Sequence, residues 1–480
     1  MERLLREPQD PASPDSHVAC RFPWRARLLG GGAGVACPRL EKWREAFRAE
    51  SVELVFATAF LNSPSSMYGH TLLKFRRGGG AGQELLHYTL SFGADTGSSG
   101  GLAYVWKGLT GAFPGFFSSA PFYLKVKEYN HVENRDFWIY PLRLSREETR
   151  ALVDHAWELR EARFDYFFLS KNCSWYLLDF LEAVRPDLSL TARFPAWAIP
   201  SDTVRVLEEA GLIGERERRP SRAFWVENRR ALLDEEERKL AEAWAKGENP
   251  SLAGLSEERR MDVLDAAWDF SRFREGRGLS RPGGDAGILA ERAKIHRPPR
   301  VFPTEATPPE RAHRSARLGL RSGMAGERTQ ERISGWPRGK TFFQIDYRGS
   351  LHDLTDDPEG YEPHSELVMG DLRLRVGEGG VGLDRADVLR ILSIAPQDSW
   401  MPRVAWNFTL GARAARWMDC GRCLEYRLDA GVGQALSLVR DRVKVFAFAN
   451  AALRAGPAFR GGNFQADFGP RGGVLWMPHG

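Results

Sequence analysis

Three residues have the types that chemistry needs: Cys173, His70 and His87. Cys173 lies in Ser170-Lys171-Asn172-Cys173-Ser174-Trp175-Tyr176-Leu177-Leu178, where a small polar run opens an apolar-periodic segment. The segment continues through Phe180 and Leu181 to Arg185-Pro186. That pattern predicts a helix capped by Asn172 or Ser170 and ended at Pro186. A thiol in the first turn meets the positive end of the helix dipole and unpaired backbone N–H groups, which favour the thiolate. With a base nearby it is a nucleophile; without one it is a small buried hydrophobe.

The base is sought upstream. Met67-Tyr68-Gly69-His70-Thr71-Leu72-Leu73-Lys74-Phe75 reads as a strand, followed by a glycine loop from Gly78 to Gly82. A further strand is expected over Glu84-Leu85-Leu86-His87-Tyr88-Thr89-Leu90-Ser91-Phe92. Paired antiparallel, the two strands can place His70 and His87 near one another on one face. The roles then follow: Cys173 attacks, His70 takes and returns the proton, and His87 orients the imidazole. The helix start supplies N–H groups for an oxyanion. Ser66, Tyr68, Asn172 and Phe116 are candidate substrate contacts; for Ser66 the alternative is a plain turn role. A metal held by His70, His87 and Cys173 is disfavoured, because no Asp or Glu stands nearby at ligand spacing. No metal and no cofactor are expected.

The elements that must position these residues come next. Val52 to Phe60 reads as a buried strand, and Asn62-Ser63-Pro64-Ser65-Ser66 as a turn. Gly108 to Phe117 is expected as an ordered aromatic loop, either a cover over the site or simple packing. Tyr123 to Tyr129 and Arg135 to Leu142 are expected strands. Ser145-Arg146-Glu147-Glu148 is a capping box opening a helix through Arg160. Helices follow near 201–210, 234–246 and 256–274. Glu133, Arg135 and Asp136 form either an ion-pair cluster supporting the site or a solvated turn. The organisation expected is an extension over 1–50, a catalytic domain with a helical extension over 51–272, a basic Pro/Gly-rich linker over 273–312, and a β-domain over 313–480.

With 480 residues the chain needs two or three domains, and 42% hydrophobic against 27% charged residues supplies core and surface. A net charge of +5 does not imply nucleic acid. Arg- and Pro-rich segments such as Ile295-His296-Arg297-Pro298-Pro299-Arg300 could touch anionic head groups. The polar start, Met1 to Pro14, is not a signal peptide: either the protein is cytosolic, or the true start lies upstream. Cysteine usage favours the second. Cys20 and Cys37 bracket a Gly-rich loop and can pair, Cys420 and Cys423 can pair in a turn, and Cys173 is then the odd free thiol.

From 314 onward no helix is expected. Val404, Trp406, Phe408 and Leu410 alternate with Ala405, Asn407, Thr409 and Gly411, and Leu372, Leu374 and Val376 alternate with Asp371, Arg373 and Arg375. About eight strands of this kind read as an outer-membrane barrel with large apolar residues outward, or alternatively as a soluble sandwich or barrel. Arg373, Arg375 and Arg413 would point inward toward carboxylates such as Asp371 or Asp429.

The order of strand His, strand polar residue and helix Cys resembles circularly permuted papain-like enzymes, the group holding lecithin retinol acyltransferase and relatives of NlpC-type cell-wall peptidases. Cys20-Arg21-Phe22-Pro23, Pro64-Ser65-Ser66-Met67-Tyr68-Gly69-His70-Thr71, Lys107-Gly108-Leu109-Thr110-Gly111, Glu133-Asn134-Arg135-Asp136 and Asn172-Cys173-Ser174 together resemble the bacterial Lnb-type N-terminal periplasmic domain. Tyr347-Arg348-Gly349-Ser350-Leu351-His352-Asp353-Leu354 resembles the β-rich part that follows that domain. The resemblance implies an α+β fold: a permuted papain-like (NlpC-like) domain, then an antiparallel β-barrel, whole or in part. It implies a cysteine hydrolase or acyltransferase acting on amide or ester bonds of an envelope substrate, at the periplasmic face of the outer membrane. The partners would be that substrate and membrane lipid. The alternative is a non-catalytic anchoring or assembly module.

Overall fold

The run of buried residues from Val52 to Ala57, apolar but for Glu53, makes β1 (Ala49–Ala57) a central strand, enclosed on both faces. In the computed structural model it belongs to the first of two compact units, residues 1–310 and 311–480. The structure describes residues 1–5, 8–59, 67–78, 82–99, 101–280, 284–324, 341–361, 364–377, 380–417, 420–439, 442–456 and 464–477. Ser66 therefore lies outside the described residues.

The first unit is built on a seven-stranded antiparallel sheet. Its strands are β1, β2 (His70–Arg77), β3 (Tyr88–Ala94), β4 (Phe113–Pro121), β5 (Phe137–Pro141), β6 (Phe164–Tyr166) and β7 (Glu217–Arg219), in the order β6-β4-β3-β2-β1-β5-β7. Alternation along the strands sorts two cores. Leu54, Phe56, Leu73, Phe75, Leu90 and Phe92 share one with the helices Arg146–Leu159 and Cys173–Glu182. Val55, Ala57 and Leu72 share the other with Phe122, Val126 and Tyr129.

Two expected pieces differ. Residues 122–132 form a short α-helix continuing into a π-helix, not a strand. Their apolar residues Phe122, Val126 and Tyr129 recur every three or four positions, which lays one face of a helix on the sheet. The expected aromatic loop is a helix, Gly101–Thr110, followed by β4, with Phe113 and Phe117 in the first core. The alternation of Phe113, Gly115 and Phe117 carries the strand. The capping box at Ser145 and Glu148 forms as expected.

The basic segment packs back onto the first unit. Arg300 reaches Asp262 at 2.7 Å and Arg292 reaches Asp265 at 2.7 Å, both on the helix Glu257–Gly276. Glu310 accepts from Tyr140 at 2.5 Å and pairs with Arg216. Its arginines therefore meet protein carboxylates, and the boundary falls at 310/311, close to the expected end of a linker. The N-terminal extension is stapled by Cys20–Cys37, whose Cα atoms are 5.3 Å apart. The disulfide packs on Trp157, whose indole N–H donates to the Cys20 carbonyl at 2.7 Å. The backbones of Cys420 and Cys423 run in a strand; their side chains lie outside the described residues.

The second unit is an eight-stranded antiparallel sheet in chain order: β8 (Arg317–Met324), β9 (Thr341–His352), β10 (Ser365–Gly377), β11 (Gly380–Ser393), β12 (Ala405–Trp417), β13 (Cys420–Val439), β14 (Val443–Ala455) and β15 (Phe464–Trp476). A closed barrel needs its first and last strands to pair. Among the described residues β8 and β15 are instead the two edges of an open sheet.

Breaking the staple tests the extension. Joint Cys20→Ser and Cys37→Ser replacement frees a loop of 17 residues, and an unfolding titration should record a stability loss of about 3 kcal/mol.

Candidate functional site

The Cys173 helix starts where the sequence places it. Asn172 is the N-cap, and its side-chain oxygen accepts from the backbone N–H groups of Ser174 (3.1 Å) and Trp175 (3.2 Å). Its amide nitrogen donates to the Ala198 carbonyl at 2.7 Å. Asn172 is thus committed to holding the turn rather than to a substrate.

Gly69 brings the chain into β2 with φ of +97°, and a Cβ there would lie 2.7 Å from the Phe56 ring. His70 then pairs opposite Ala57 and Thr71 opposite Phe56. Paired residues share a face, so Thr71 enters the core that holds Cys173, and His70 starts on the other. The Thr71 hydroxyl hydrogen-bonds the Ser174 hydroxyl at 2.9 Å, both groups buried. The Thr71 backbone N–H is directed at the Cys173 thiol. The His70 ring lies 5.3 Å from the Tyr129 ring, and its Nε2 is buried without a partner. No hydrogen bond joins His70 to Cys173 among the described residues.

His87 is elsewhere. The β2–β3 register pairs Leu73 with Leu90 and Phe75 with Tyr88, which leaves His87 beside Arg76. That is six residues along β2 from His70, roughly 20 Å at strand rise. His87 belongs to a cluster with Lys74, Glu53 and Glu84, in which Lys74 pairs with Glu53 at 2.6 Å and Glu84 at 2.9 Å. The hairpin was expected to bring the two imidazoles together, and its register separates them.

Tyr166, which no motif marks, and Arg135 stand near the thiol. Tyr166, buried at the end of β6, interacts with the Cys173 thiol and accepts from its backbone N–H. Arg135 is fully buried, donates to the carbonyls of Thr58 (2.6 Å) and Ala57 (2.9 Å), pairs with Glu133 at 2.9 Å, and lies over Tyr129. Glu133 pairs with Arg135 and Asp136 with Arg218, two separate ion pairs rather than one cluster. No spacing signal pointed to Tyr166, because a three-residue strand has no visible period. Tyr68 is buried, which pushes its phenol well above the usual range. Phe116 is half-buried, with the Arg163 guanidinium 5.1 Å over its ring.

Electrostatics at the site are set by burial. Burial pushes the Cys173 thiol above its ordinary value, and the Thr71 N–H, Ser174 and Arg135 only partly oppose it. The helix start therefore does not lower the thiol pKa overall. Burial, with Arg135 and Lys125, holds His70 down to about 3. At neutral pH the site keeps a thiol and a neutral imidazole. The helix-start amides expected for an oxyanion are taken: Ser174 and Trp175 by Asn172, Cys173 by Tyr166.

These features define a mixed α/β domain with one free buried cysteine at a helix start and a histidine strand beside it. Residues 39–210 match the family described as the Lnb N-terminal periplasmic domain, whose description places it in the periplasm. Residues 306–480 match a family described as a domain of unknown function, DUF7840. Comparison with curated proteins and with solved structures gave no match.

Acid titration reads the buried imidazole. His70 has a depressed folded value, about 3 against 6.5, so between these values the unfolded chain binds the extra proton. Stability is full above pH 6.5 and falls toward pH 3, by at most about 1.4 kcal/mol per pH unit for this group. Denaturant titrations across that window should show a shallower slope in His70→Asn.

Proposed function

We propose that the first unit is a thiol-dependent hydrolase or acyltransferase acting on an amide or ester bond of a cell-envelope substrate, on a permuted papain-like arrangement of sheet and cysteine helix. The observation that carries this reading is the seating of the β2 start on the first turn of the Cys173 helix, through the buried Thr71–Ser174 hydrogen bond. It puts the His70 strand, the Thr71 N–H and the Tyr166 phenol around one free thiol. In this reading His70 takes the thiol proton as sulfur bonds to the substrate carbonyl carbon. The carbon–oxygen or carbon–nitrogen bond breaks, and the proton leaves with the alcohol or amine. Water, or a second amine or alcohol, then takes the acyl group from sulfur. With the helix-start amides occupied, Tyr166 and the Thr71 N–H are the donors for the oxyanion.

A second reading, a non-catalytic anchoring or assembly module, also has an observation in its favour. His70 starts on the opposite sheet face from the thiol, with its ring on Tyr129. A vinyl sulfone probe separates the two. Catalysis expects labelling of Cys173, located by mass spectrometry, that His70→Ala abolishes and Tyr166→Phe slows about 10²-fold or more. Labelling indifferent to His70 leaves the module.

For the second unit we propose an outer-membrane barrel wall, its apolar face toward lipid, and for the first unit a periplasmic place of work. The support is an inverted burial pattern. Phe468, Leu320 and Trp476 are 83%, 77% and 70% exposed, whereas Lys444, Glu425 and Asp429 are at most 1% exposed. Arg373 pairs with Asp346 and Arg413 with Glu425, while Arg375 bonds Gln344 and pairs with Asp384. These partners differ from the expected Asp371 and Asp429. Val432→Arg, on the exposed face of β13, should cost about 2–4 kcal/mol at mid-membrane and abolish the heat-modifiable gel shift after refolding in detergent. Thr409→Arg, on the opposite face, should keep it. Equal behaviour of the two variants rules out the membrane wall.

A further inference from the structure

Three side chains from separate segments of the second unit meet at one end of its sheet. His313 precedes β8, His352 ends β9, and Asp356 lies in the turn beyond. The β8–β9 pairing, Arg317 opposite Arg348, brings the segments together. His313 Nε2 is 3.0 Å from His352 Nδ1 and 3.7 Å from Asp356 Oδ2, and His352 Nδ1 is 3.9 Å from that oxygen. A triangle with these edges has a point about 2.1 Å from all three corners, the bond length zinc takes to imidazole nitrogen and carboxylate oxygen.

The surroundings hold each donor in a binding posture. His313 Nδ1 lies 2.9 Å from the Arg314 carbonyl. A proton on Nδ1 donated there leaves the Nε2 lone pair facing the other two donors, the outer-shell device that fixes a ligand histidine's tautomer. Tyr361 stacks on both imidazoles, at 4.4 and 4.7 Å, and its hydroxyl donates to the His313 carbonyl at 2.7 Å. Asp356 is fixed from three sides: Arg317 on one oxygen, and Arg348 with the Asp353 backbone N–H on the other. Arg348 has a second carboxylate, Asp353, at 3.0 Å to hold when a cation takes Asp356. Asp353 and Asp356 set two carboxylates against Arg317 and Arg348 in this cluster.

We propose that His313, His352 and Asp356 bind one divalent first-row transition metal ion, zinc before the others. Two imidazoles and one carboxylate suit zinc and its neighbours rather than magnesium or calcium, which take all-oxygen shells. Three protein ligands leave a coordination position for water, the arrangement of open zinc sites. The ion would tie the start of β8 to the end of β9. In the chain 39 positions separate the two histidines, and only His352 and Asp356 are near one another.

The test uses the full chain in detergent, stripped with a chelator, then titrated with zinc and with cobalt(II). One saturable equivalent of zinc per chain is expected, with a cobalt absorption spectrum of nitrogen and oxygen ligation. His313→Ala and Asp356→Asn should each weaken zinc at least about 10-fold, and His296→Ala, an exposed histidine of the first unit, should not. Should a variant fail to fold, the unsubstituted protein decides. There, zinc should shield His313 and His352, but not His296, from diethyl pyrocarbonate. No saturable equivalent, no shielding, or equal affinity in the folded variants overturns the proposal.

Discussion

The hydrogen bond between Thr71 and Ser174 is the contact on which the candidate site depends. It is buried between the first residues of β2 and the first turn of the Cys173 helix. Each side is fixed independently. Gly69 turns the chain into β2 at an angle and a closeness to Phe56 that no side chain tolerates. Asn172 caps the helix and ties its start to Ala198. A buried hydroxyl pair left half-satisfied costs about 1–3 kcal/mol, so the two elements are held in one register.

The consequence is a site whose groups rest uncharged. Burial acts in opposite directions on an acid and a base: it raises the thiol and lowers the imidazole. A resting ion pair is therefore disfavoured, and the Arg135 charge nearby disfavours a second cation further. Arg135 is itself neutralised locally by Glu133 and two carbonyls, so a fully buried guanidinium persists without an unpaired donor row.

The second unit solves the opposite problem. Its charges lie on one face of a single sheet and are paired there: Arg390 with the buried Glu366, Arg427 with the buried Asp429, and Arg348 with Asp353. Of these pairs Arg390–Glu366 crosses from β11 to β10, and leaving one partner of such a pair alone costs several kcal/mol. Leu320, Phe468 and Trp476 stand exposed on the other face, while Phe448 and Leu475 join a small apolar cluster on the charged one.

Sequence periodicity determined much of this chain. The capping box at Ser145, the cap at Asn172, the Cys20–Cys37 pairing and the strands after residue 314 all follow from local rules, because caps, short loops and alternation act within a few residues. Segments with mixed signals point the wrong way: 123–129 reads as a strand and 108–117 as a loop, where the neighbouring sheet decides the outcome. The candidate site was legible in its cysteine and in the strand carrying His70, but not in its geometry. A register shift moves a residue several ångströms along a strand and alternation moves it across a sheet, so only the tertiary structure parted His87 from His70 and set Thr71 and Tyr166 against the thiol. The same holds at His313, His352 and Asp356, whose meeting is a product of strand pairing that no spacing in the chain records.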